Sequence, residues 1–391
     1  MIGIPSPSAV PLRGESYVTT KILIAGGGTG GHLMPALAIA DALRAKRPDI
    51  EPVLIGATRG IETQILPTRD FRYHLLAIEP FYRRQWWKNV RLPFVAWQVH
   101  RELKKIFREE RPALVVGTGG YASAPAVWYG AGLGLPSAIQ EQNAWPGLAT
   151  KRLAGRVDHI YLGLPEAKER LRFGRKTKVW DTGNPITPPD PTRREVALKR
   201  FGFDRSKPVV LVTGGSQGAL AINRAIAGWL DAGGAAGCSV IWATGRGSYE
   251  EFAKYQRTPD VQVFGFIDPM ADAFAVADLA VSRAGMMTGA ELCAWGIPSI
   301  LIPLPTAASD HQTGNAIALE VAGAAVHLPQ ATLSTLSLGR IIGELLSDEA
   351  RRRTMATRAK GRGRPHAVDS IVSHLLTLLG SQALSQPPKN H

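Results

Sequence analysis

The feature that most constrains this fold is a strand, glycine turn and helix arrangement that occurs twice, about half a chain apart. An apolar run at 22–25 leads into a glycine cluster at 26–31, and apolar residues then recur at helical spacing. A second apolar run at 209–213 leads into the cluster at 214–218 and another such helix. The repetition predicts two similar α/β domains, each with a glycine turn at the carboxyl edge of a parallel sheet, and a ligand in the cleft between them.

Glycine turns of this kind suit an anion or a polar sugar. No Cβ separates the backbone from a ligand, and the following helix points unpaired N–H groups at the turn. Gly26, Gly28 and Gly31 also satisfy the dinucleotide fingerprint, but the second predicted strand, 52–55, does not end in the acidic residue that would hold a ribose. The pattern therefore disfavours NAD and predicts one phosphate-friendly turn in each domain.

Length and composition allow two full cores, because the chain has 391 residues of which 45% are hydrophobic. Its two cysteines are far apart and lack partners at metal-ligand spacing, so neither a disulfide framework nor a metal site is predicted. Residues 1–20 do not read as a signal peptide and are predicted to be a disordered extension. The uncharged stretch 113–140 is long enough to span a membrane, but its glycines and prolines favour a buried strand, helix and strand.

The net charge of +14 predicts an anionic partner, and nucleic acid, anionic lipid and a phosphorylated substrate all remain open. Residues 81–108 mix aromatic and basic side chains, which suits the headgroup level of an anionic bilayer. A helix with a solvated basic face and single-stranded nucleic acid binding are the alternatives. The candidate membrane patch consists of Arg83, Arg84, Trp86, Trp87, Lys88, Arg91 and Phe94.

Polar residues at predicted strand ends are further candidates for ligand contacts. Asn143 lies in the loop at 140–147 and would bind a hydroxyl group, or would only cap a helix. Thr288 and Glu291 have capping-box spacing, so they either start a helix or place a phosphate at its N-terminus with Glu291 accepting ribose hydroxyls. The proline-rich run at 183–191 is predicted to be the hinge between domains.

Several blocks together resemble the MurG family, the peptidoglycan N-acetylglucosaminyltransferases that convert lipid I to lipid II. The resemblance covers the chain from about Lys21 to the last helix, and the joint occurrence of the blocks is specific although each alone is weak. The matching blocks, in chain order, are residues 27–32, 119–121, 141–143, 183–185, 214–219, 282–291 and the pair 311–312 with 315–316.

The resemblance implies a GT-B fold, α/β, with two Rossmann-like doubly wound domains. It implies an acceptor and membrane-binding domain at 21–185, onto which a helix at 366–380 ending at Gly380 packs back. A UDP-N-acetylglucosamine (UDP-GlcNAc) domain at 192–365 and a disordered tail at 381–391 complete the division. The implied enzyme is peripheral on the cytoplasmic membrane face.

The implied reaction is an inverting transfer of GlcNAc to the 4-hydroxyl of the MurNAc of lipid I, undecaprenyl-pyrophosphoryl-MurNAc-pentapeptide, in cell wall synthesis. It uses no cofactor, no metal and no nucleic acid, in agreement with the lack of an Asp-x-Asp pair in the sequence.

The same resemblance assigns the site residues. Ile267 would meet the uracil, Glu291 the ribose, and Ser216 with the amides of residues 286–288 the diphosphate, while Gln312 and Asn143 would bind sugar hydroxyls. His32 is the candidate base, with a purely orienting role as the alternative. The substrate-binding set is Thr29, Gly30, Gly31, Asn143, Ser216, Ile267, Met286, Met287, Thr288, Gly289, Ala290, Glu291 and Gln312.

Two departures from the family pattern stand out. Thr187 occupies a position where the family usually has Arg, so Arg193 or Arg194 would have to supply that contact, and Gln140 stands where the family usually has His. A UDP-GlcNAc 2-epimerase of the same fold and a nucleic-acid-binding protein remain as alternative functions.

Overall fold

A computed structural model describes residues 19–78, 90–204 and 206–383. The predicted extension and tail, and five members of the candidate membrane patch, therefore fall largely or wholly outside the described residues. The five are Arg83, Arg84, Trp86, Trp87 and Lys88.

The first lobe is built on a parallel sheet whose inner strands are buried, as strands covered on both faces must be, whereas its two edge strands are partly exposed. Its strands are β1 (Thr20–Ala25), β2 (Ile50–Ala57), β3 (Arg72–Leu76), β4 (Leu114–Gly117), β5 (Ser137–Glu141), β6 (His159–Leu162) and β7 (Lys178–Asp181). Its helices are α1 (Gly30–Lys46), α2 (Glu62–Ile65), α3 (Leu92–Glu110), α4 (Ser123–Gly132) and α5 (Leu148–Leu153). Among the described residues the strand order is β3-β2-β1-β4-β5-β6-β7.

The second lobe repeats this plan. Its strands are β8 (Val209–Thr213), β9 (Ser239–Ala243), β10 (Val261–Phe264), β11 (Leu279–Ser282), β12 (Ser299–Leu301) and β13 (Ala325–His327). The helices from here on are α6 (Arg193–Phe201), α7 (Leu220–Asp231), α8 (Tyr249–Phe252), α9 (Met270–Val276), α10 (Met286–Trp295), α11 (His311–Val321), α12 (Thr335–Ser347), α13 (Glu349–Arg362) and α14 (Ala367–Ala383). In the part of the chain that is described, the order β10-β9-β8-β11-β12-β13 is again doubly wound.

In each lobe the strand order reverses direction beside the strand that precedes the glycine turn. β1 pairs with both β2 and β4, and β8 pairs with both β9 and β11. Crossover helices leave in opposite directions at these points, which opens a crevice at the carboxyl ends of the strands. Both glycine turns therefore lie where this fold places ligands, and the predicted fold of two doubly wound parallel sheets is confirmed.

The last helix belongs to the first lobe by contact, although it follows the second lobe in sequence. Ile371, Val372 and Leu375 of α14 are fully buried in the same core as Leu33 and Leu37 of α1. The prediction that this helix ends at Gly380 is wrong, because α14 continues to Ala383. A single glycine within a helix lowers its propensity without ending it, and Gly380 lies in open space here.

The two lobes are packed against each other rather than only linked. Ala144 and Leu164 of the first lobe share a buried cluster with Met286, Leu301 and Leu319 of the second. The lobes are also joined by an ion pair, close to the point where the chain passes from the second lobe back to the first. There Arg362 Nη2 donates to both carboxylate oxygens of Glu166, at 2.7 and 2.8 Å. The cleft is therefore held at a defined width by side chains of both lobes.

Candidate active site

The first glycine turn, between β1 and α1, is stabilised by a carboxylate of the protein. Gly28 takes a φ of +88°, and its N–H donates to both oxygens of Glu62 at 2.8 and 2.9 Å. Ala57 N–H donates to the same carboxylate at 2.9 Å, and Glu62 is fully buried. The prediction of a phosphate-friendly turn in each lobe is thus wrong for Gly28, because its N–H already binds an internal anion.

The second glycine turn, between β8 and α7, is open to a ligand. Gly215 has a φ of +82° and faces open space, and Ser216 beside it is exposed. Gly218 donates to Gly215 O at 2.9 Å, which closes the turn tightly. The N-cap of α7, Ala219, has no side chain that bonds the first helical N–H groups. These amides and the Ser216 hydroxyl are therefore available to an anion.

The N-terminus of α10 lies beside this turn, since β11, which precedes α10, pairs with β8. Gly285 is the N-cap and makes no side-chain capping bond, so the amides of the first turn have no intrahelical or capping partner. The capping-box prediction is wrong, because α10 begins at Met286 and both Thr288 and Glu291 lie inside it. A helix N-terminus without a cap is where a diphosphate is best stabilised.

Glu291 lies in the second turn of α10, and the pKa of its carboxyl is unusual. Burial raises the pKa of its carboxyl to about 7. Hydrogen bonds from ligand hydroxyls would favour the ionised form and lower this pKa. A carboxyl that gains such bonds only when a ligand arrives is a good acceptor for the two hydroxyls of a ribose.

Arg283 places a fixed cation at the same edge of the second sheet. Its Nη1 donates to the carbonyl oxygens of Ile302 at 3.2 Å and Pro303 at 3.1 Å. Burial lowers the pKa of its guanidinium, which nevertheless stays charged at neutral pH. Sequence reasoning did not single out Arg283, although it lies within the block at 282–291.

His32 lies at the start of α1 and faces the second lobe. Its Nδ1 lies 3.2 Å from Thr118 O, and since a carbonyl oxygen only accepts, Nδ1 carries the proton and Nε2 is left bare. Burial lowers the pKa of His32; the Glu141 carboxylate opposes this shift, and His311 of the second lobe adds to it. The neutral imidazole is therefore the favoured form, and His32 is close enough to the second lobe for His311 to contribute to this shift.

Glu141, at the end of β5, organises the loop that carries Asn143. Oε1 accepts from Asn143 N at 3.0 Å and Nδ2 at 3.1 Å, and Oε2 accepts from Gly147 N at 3.1 Å. Asn143 does not cap a helix, because the N-cap of α5 is Gly147. One N–H of the Asn143 amide remains available to a ligand hydroxyl.

Asn315 of α11 joins this loop to the second lobe. It is 1% exposed, accepts from Ala144 N at 2.9 Å, and donates to Asn143 Oδ1 and Ala284 O, each at 3.0 Å. Asn315 thus connects the loop of Asn143 to the segment just before α10. Asn315 belongs to a block that carries the family resemblance, but its sequence position does not indicate that it joins the two lobes.

Gln312, one turn earlier on α11, is oriented by the neighbouring loop. Its Oε1 accepts from Leu304 N at 2.9 Å, which leaves the two Nε2 hydrogens as donors. A sugar hydroxyl in the cleft could accept one of them.

Some of the other predicted site residues have buried side chains, and these could contact a ligand only through the backbone. Ile267 is 4% exposed and lies in the core of the second lobe. Met286 is 5% exposed in the cluster between the lobes, and Ala290 packs against that cluster. Gly289 is buried against Met286, whereas Met287 and Thr288 are partly exposed. Thr29, Gly30 and Gly31 form the partly open start of α1.

Neither predicted substitute for the missing arginine is free to reach the site. Arg193 binds Asp272 at 2.8 Å, and Arg194 donates to Ala275 O at 2.9 Å. Thr187 itself is exposed. Among residues 19–78, 90–204 and 206–383, no group of three His, Cys, Asp or Glu side chains is arranged to hold a metal ion.

Each of the two lobes matches a known protein family. Residues 22–162 match the glycosyltransferase family 28 N-terminal domain, and residues 209–371 match the glycosyltransferase family 28 C-terminal domain. The two matches together span most of the chain and agree with the division into two sheets.

Two relatives that share one name show what the whole chain is similar to. The chain is 38% identical over 379 residues to the UDP-N-acetylglucosamine--N-acetylmuramyl-(pentapeptide) pyrophosphoryl-undecaprenol N-acetylglucosamine transferase of Porphyromonas gingivalis, covering 93% of this chain and 97% of that protein. The protein of the same name from Acetivibrio thermocellus is 36% identical over 368 residues, covering 93% and 99%.

Solved structures show the same fold. MurG of Acinetobacter baumannii superposes with a TM-score of 0.74 at 24% identity, covering 92% of this chain and 99% of that one. A UDP-N-acetylglucosamine 2-epimerase superposes with a TM-score of 0.61 at 14% identity, covering 95% and 99%. The predicted GT-B fold is therefore confirmed, and the fold is common to transferases and epimerases.

Proposed function

This chain belongs to the MurG family within glycosyltransferase family 28, and we propose that it transfers GlcNAc from UDP-GlcNAc to the 4-hydroxyl of the MurNAc of lipid I, giving lipid II. The observation that carries this proposal is that the two lobes present different chemical groups. An open glycine turn and an uncapped helix N-terminus lie side by side in the second lobe, and a neutral histidine lies in the first lobe, close enough to the second for His311 to affect its pKa.

The donor binds to the second lobe. Its diphosphate lies against Ser216 and the first amides of α10, where the helix dipole favours negative charge. The ribose hydroxyls donate to Glu291, and backbone groups of Ile267 contact the uracil. Arg283 adds a fixed positive charge nearby, and the GlcNAc ring extends toward Gln312 and Asn143.

The acceptor binds to the first lobe, beside the start of α1. As its 4-hydroxyl attacks C1 of the GlcNAc, the hydroxyl proton moves to His32 Nε2 and the bond from C1 to the phosphate oxygen breaks, with inversion at C1. The charge released onto the leaving UDP is taken up by the α10 amides and the second glycine turn, which need no rearrangement to receive it.

The enzyme works at the surface of a membrane. On the described part of α3, Phe94 and Trp97 are 61% and 54% exposed, and Arg101 lies 4.8 Å over the Trp97 ring. Val95 and Val99 on the opposite face of α3 are buried, so the exposed rings are not needed for the core. Rings beside cations are suited to an anionic headgroup layer. No helix in the described residues is long and apolar enough to cross a bilayer.

The test is incubation with UDP-GlcNAc labelled in the sugar and a lipid I analogue, followed by extraction of lipid. We expect label in a lipid whose new linkage is β. Release of a free labelled epimer, with no labelled lipid, would instead identify a 2-epimerase and overturn the proposal.

A further inference from the structure

Three amide side chains form a buried, hydrogen-bonded chain in the first lobe to which the proposed reaction assigns no role. Gln140 lies on β5, Gln142 follows that strand directly, and Asn184 follows β7 in the segment that links the two lobes. Each of the three residues is at most 3% exposed. A buried amide must find partners for its N–H and C=O groups, so these partners define how each side chain is oriented.

A backbone carbonyl oxygen at each end fixes the direction of the amides. Asn184 Nδ2 donates to Gln142 O at 3.1 Å, which leaves Asn184 Oδ1 to accept from Gln140 Nε2 at 2.9 Å. Gln140 Oε1 then accepts from Gln142 Nε2 at 2.5 Å, and Gln142 Nε2 also donates to Thr118 O at 2.6 Å. Because a carbonyl oxygen only accepts, turning any one amide over would place two acceptors or two donors against each other.

The chain ends at Thr118, the residue that holds His32. Thr118 O lies 3.2 Å from His32 Nδ1, and the Thr118 hydroxyl donates to His32 O at 2.8 Å. Thr118 is followed by Gly119 and Gly120, whose φ angles are +96° and +82°. Glycines allow many backbone conformations, so this turn alone does not fix the direction of the Thr118 carbonyl. The Gln142 amide supplies a bond that does.

We propose that Gln142, held by Gln140 and Asn184, is a positioning residue for His32. It fixes the Thr118 carbonyl, which keeps the proton on Nδ1 of the ring and leaves Nε2 free to accept one. This rests on the proposed function, in which His32 is the base. Asn184 thereby acts on the base from the segment between the lobes.

The first test determines the tautomer of His32 without any substrate. NMR of protein with nitrogen-15 in its histidines shows which ring nitrogen carries the proton, and His32→Asn identifies the His32 signals by their loss. At pH 8 we expect the wild type to be protonated on Nδ1. Gln142→Met, which keeps the length of the side chain and removes its donors, should shift the proton toward Nε2. An unchanged tautomer in folded Gln142→Met would overturn the proposal.

Asn184→Leu tests the far end of the chain, and it replaces Gln142→Met if that variant does not fold. Its effect has to pass along the amides to reach Thr118, so we expect a smaller shift in the same direction. Gln262→Met is the matched control, because Gln262 Nε2 also donates to a backbone carbonyl, Phe201 O at 3.0 Å, but in the second lobe. Thermal unfolding shows whether each variant is folded. A wild-type tautomer in Asn184→Leu, or a shift in Gln262→Met, would overturn the role of the chain.

The second test measures transfer with and without the base. In the presence of His32, we expect Gln142→Met to lower kcat about 10- to 100-fold while the KM for UDP-GlcNAc stays within about two-fold. In a His32→Asn background the same substitution should change kcat less than about two-fold, because the residue that it positions is gone. An equal loss of kcat in both backgrounds would show a general structural effect and would overturn the proposal.

The two tests separate this inference from the proposed function. The tautomer measurement uses neither donor nor acceptor, so a chain with the expected tautomers that transfers no sugar would contradict the proposed function alone. A chain that forms labelled lipid but keeps the proton on Nδ1 in Gln142→Met would contradict the positioning role alone.

Discussion

At His32 the hydrogen bond to Thr118 O decides which ring nitrogen carries the proton. The bond from Nδ1 to Thr118 O keeps the proton on Nδ1 and leaves Nε2 free, and packing of the ring against Gly119 holds its orientation. Because burial lowers the pKa of His32, the ring is neutral at physiological pH and can accept a proton.

The pH profile of kcat tests this role. The pKa of His32 lies below 6.5, and only the neutral ring accepts a proton. We therefore expect kcat to be independent of pH above about 6.5 and to fall as the pH drops through the lowered pKa.

His32→Asn is the matched variant, because its amide can still donate to Thr118 O but cannot act as a base. We expect a loss of about 10²- to 10⁴-fold in kcat with little change in KM. A His32→Asn enzyme with wild-type kcat would leave His32 only an orienting role.

Glu291 gives a second pH-dependent prediction, for the binding of UDP. Its carboxyl has a pKa of about 7 in the free protein, and ribose hydroxyls favour the ionised form. The Kd of UDP should therefore rise as the pH falls below about 7. Glu291→Gln should weaken binding about 10- to 100-fold at pH 8 and flatten the profile. Glu250→Gln, an exposed site on the same lobe, is the control. A pH-independent Kd in the wild type would contradict the assignment.

The sequence revealed residues at strand ends but not their partners. His32, Ser216 and Glu291 are candidates because each follows a recognisable strand and turn. Glu62 was not, because it lies 34 residues from Gly28 and only the fold of the segment after β2 brings it back. Contacts of that range depend on packing and leave no local pattern.

At the scale of elements, α11 connects the loop of Asn143 in the first lobe to the segment before α10 in the second. Asn315 bonds to Asn143 and Ala144 in the first lobe and to Ala284 in the second. Trp145 packs where a side chain at position 314 would lie, so Gly314 is required for the helix and loop to approach this closely. The sugar-binding loop and the start of α10 thus share one support.

Asn315→Ala tests that connection. Loss of the side chain leaves buried groups on both lobes unsatisfied, at about 1–3 kcal/mol each, so we expect lower thermal stability and a lower kcat. In a double-mutant cycle with Asn143→Ala, the two effects on kcat/KM should be non-additive by about 0.5–3 kcal/mol. Additive effects would show that Asn315 does not act through Asn143.

Element boundaries were predicted less well than element types. The apolar run predicted as a strand at 209–213 matches β8, because a buried parallel strand is a short apolar run with clear ends. Thr288 and Glu291 matched a capping box by spacing alone, but Gly285 starts the helix and keeps its first amides open. A site that binds ligand at a helix end omits the cap that the local pattern predicts.

At the scale of the whole molecule, the two lobes share a topology, and in the proposed function they bind different substrates. The matching strand orders were predictable from the repeated strand, turn and helix pattern, since each half contained enough apolar runs for a sheet. The contacts that close the cleft were not, because Arg362 and Glu166 lie 196 residues apart.

Membrane binding is the prediction at this scale. Replacing Phe94 and Trp97 together by Ser should reduce co-sedimentation with anionic vesicles and turnover of a lipid acceptor, but leave turnover of a water-soluble acceptor within about two-fold. Val196→Ser, a 67% exposed site on the second lobe, is the control. Equal sedimentation of the double variant and the wild type would place the membrane contact elsewhere.

Central to the proposed function is that the two sides of the cleft differ: the diphosphate binds to the second lobe, and the reacting sugar faces the first. A crystal structure with UDP-GlcNAc bound tests it most directly. We predict the diphosphate over Gly215, Ser216 and the N-terminus of α10, the ribose on Glu291, and C1 of the sugar facing His32. A diphosphate seated on residues 26–31 instead would contradict the account.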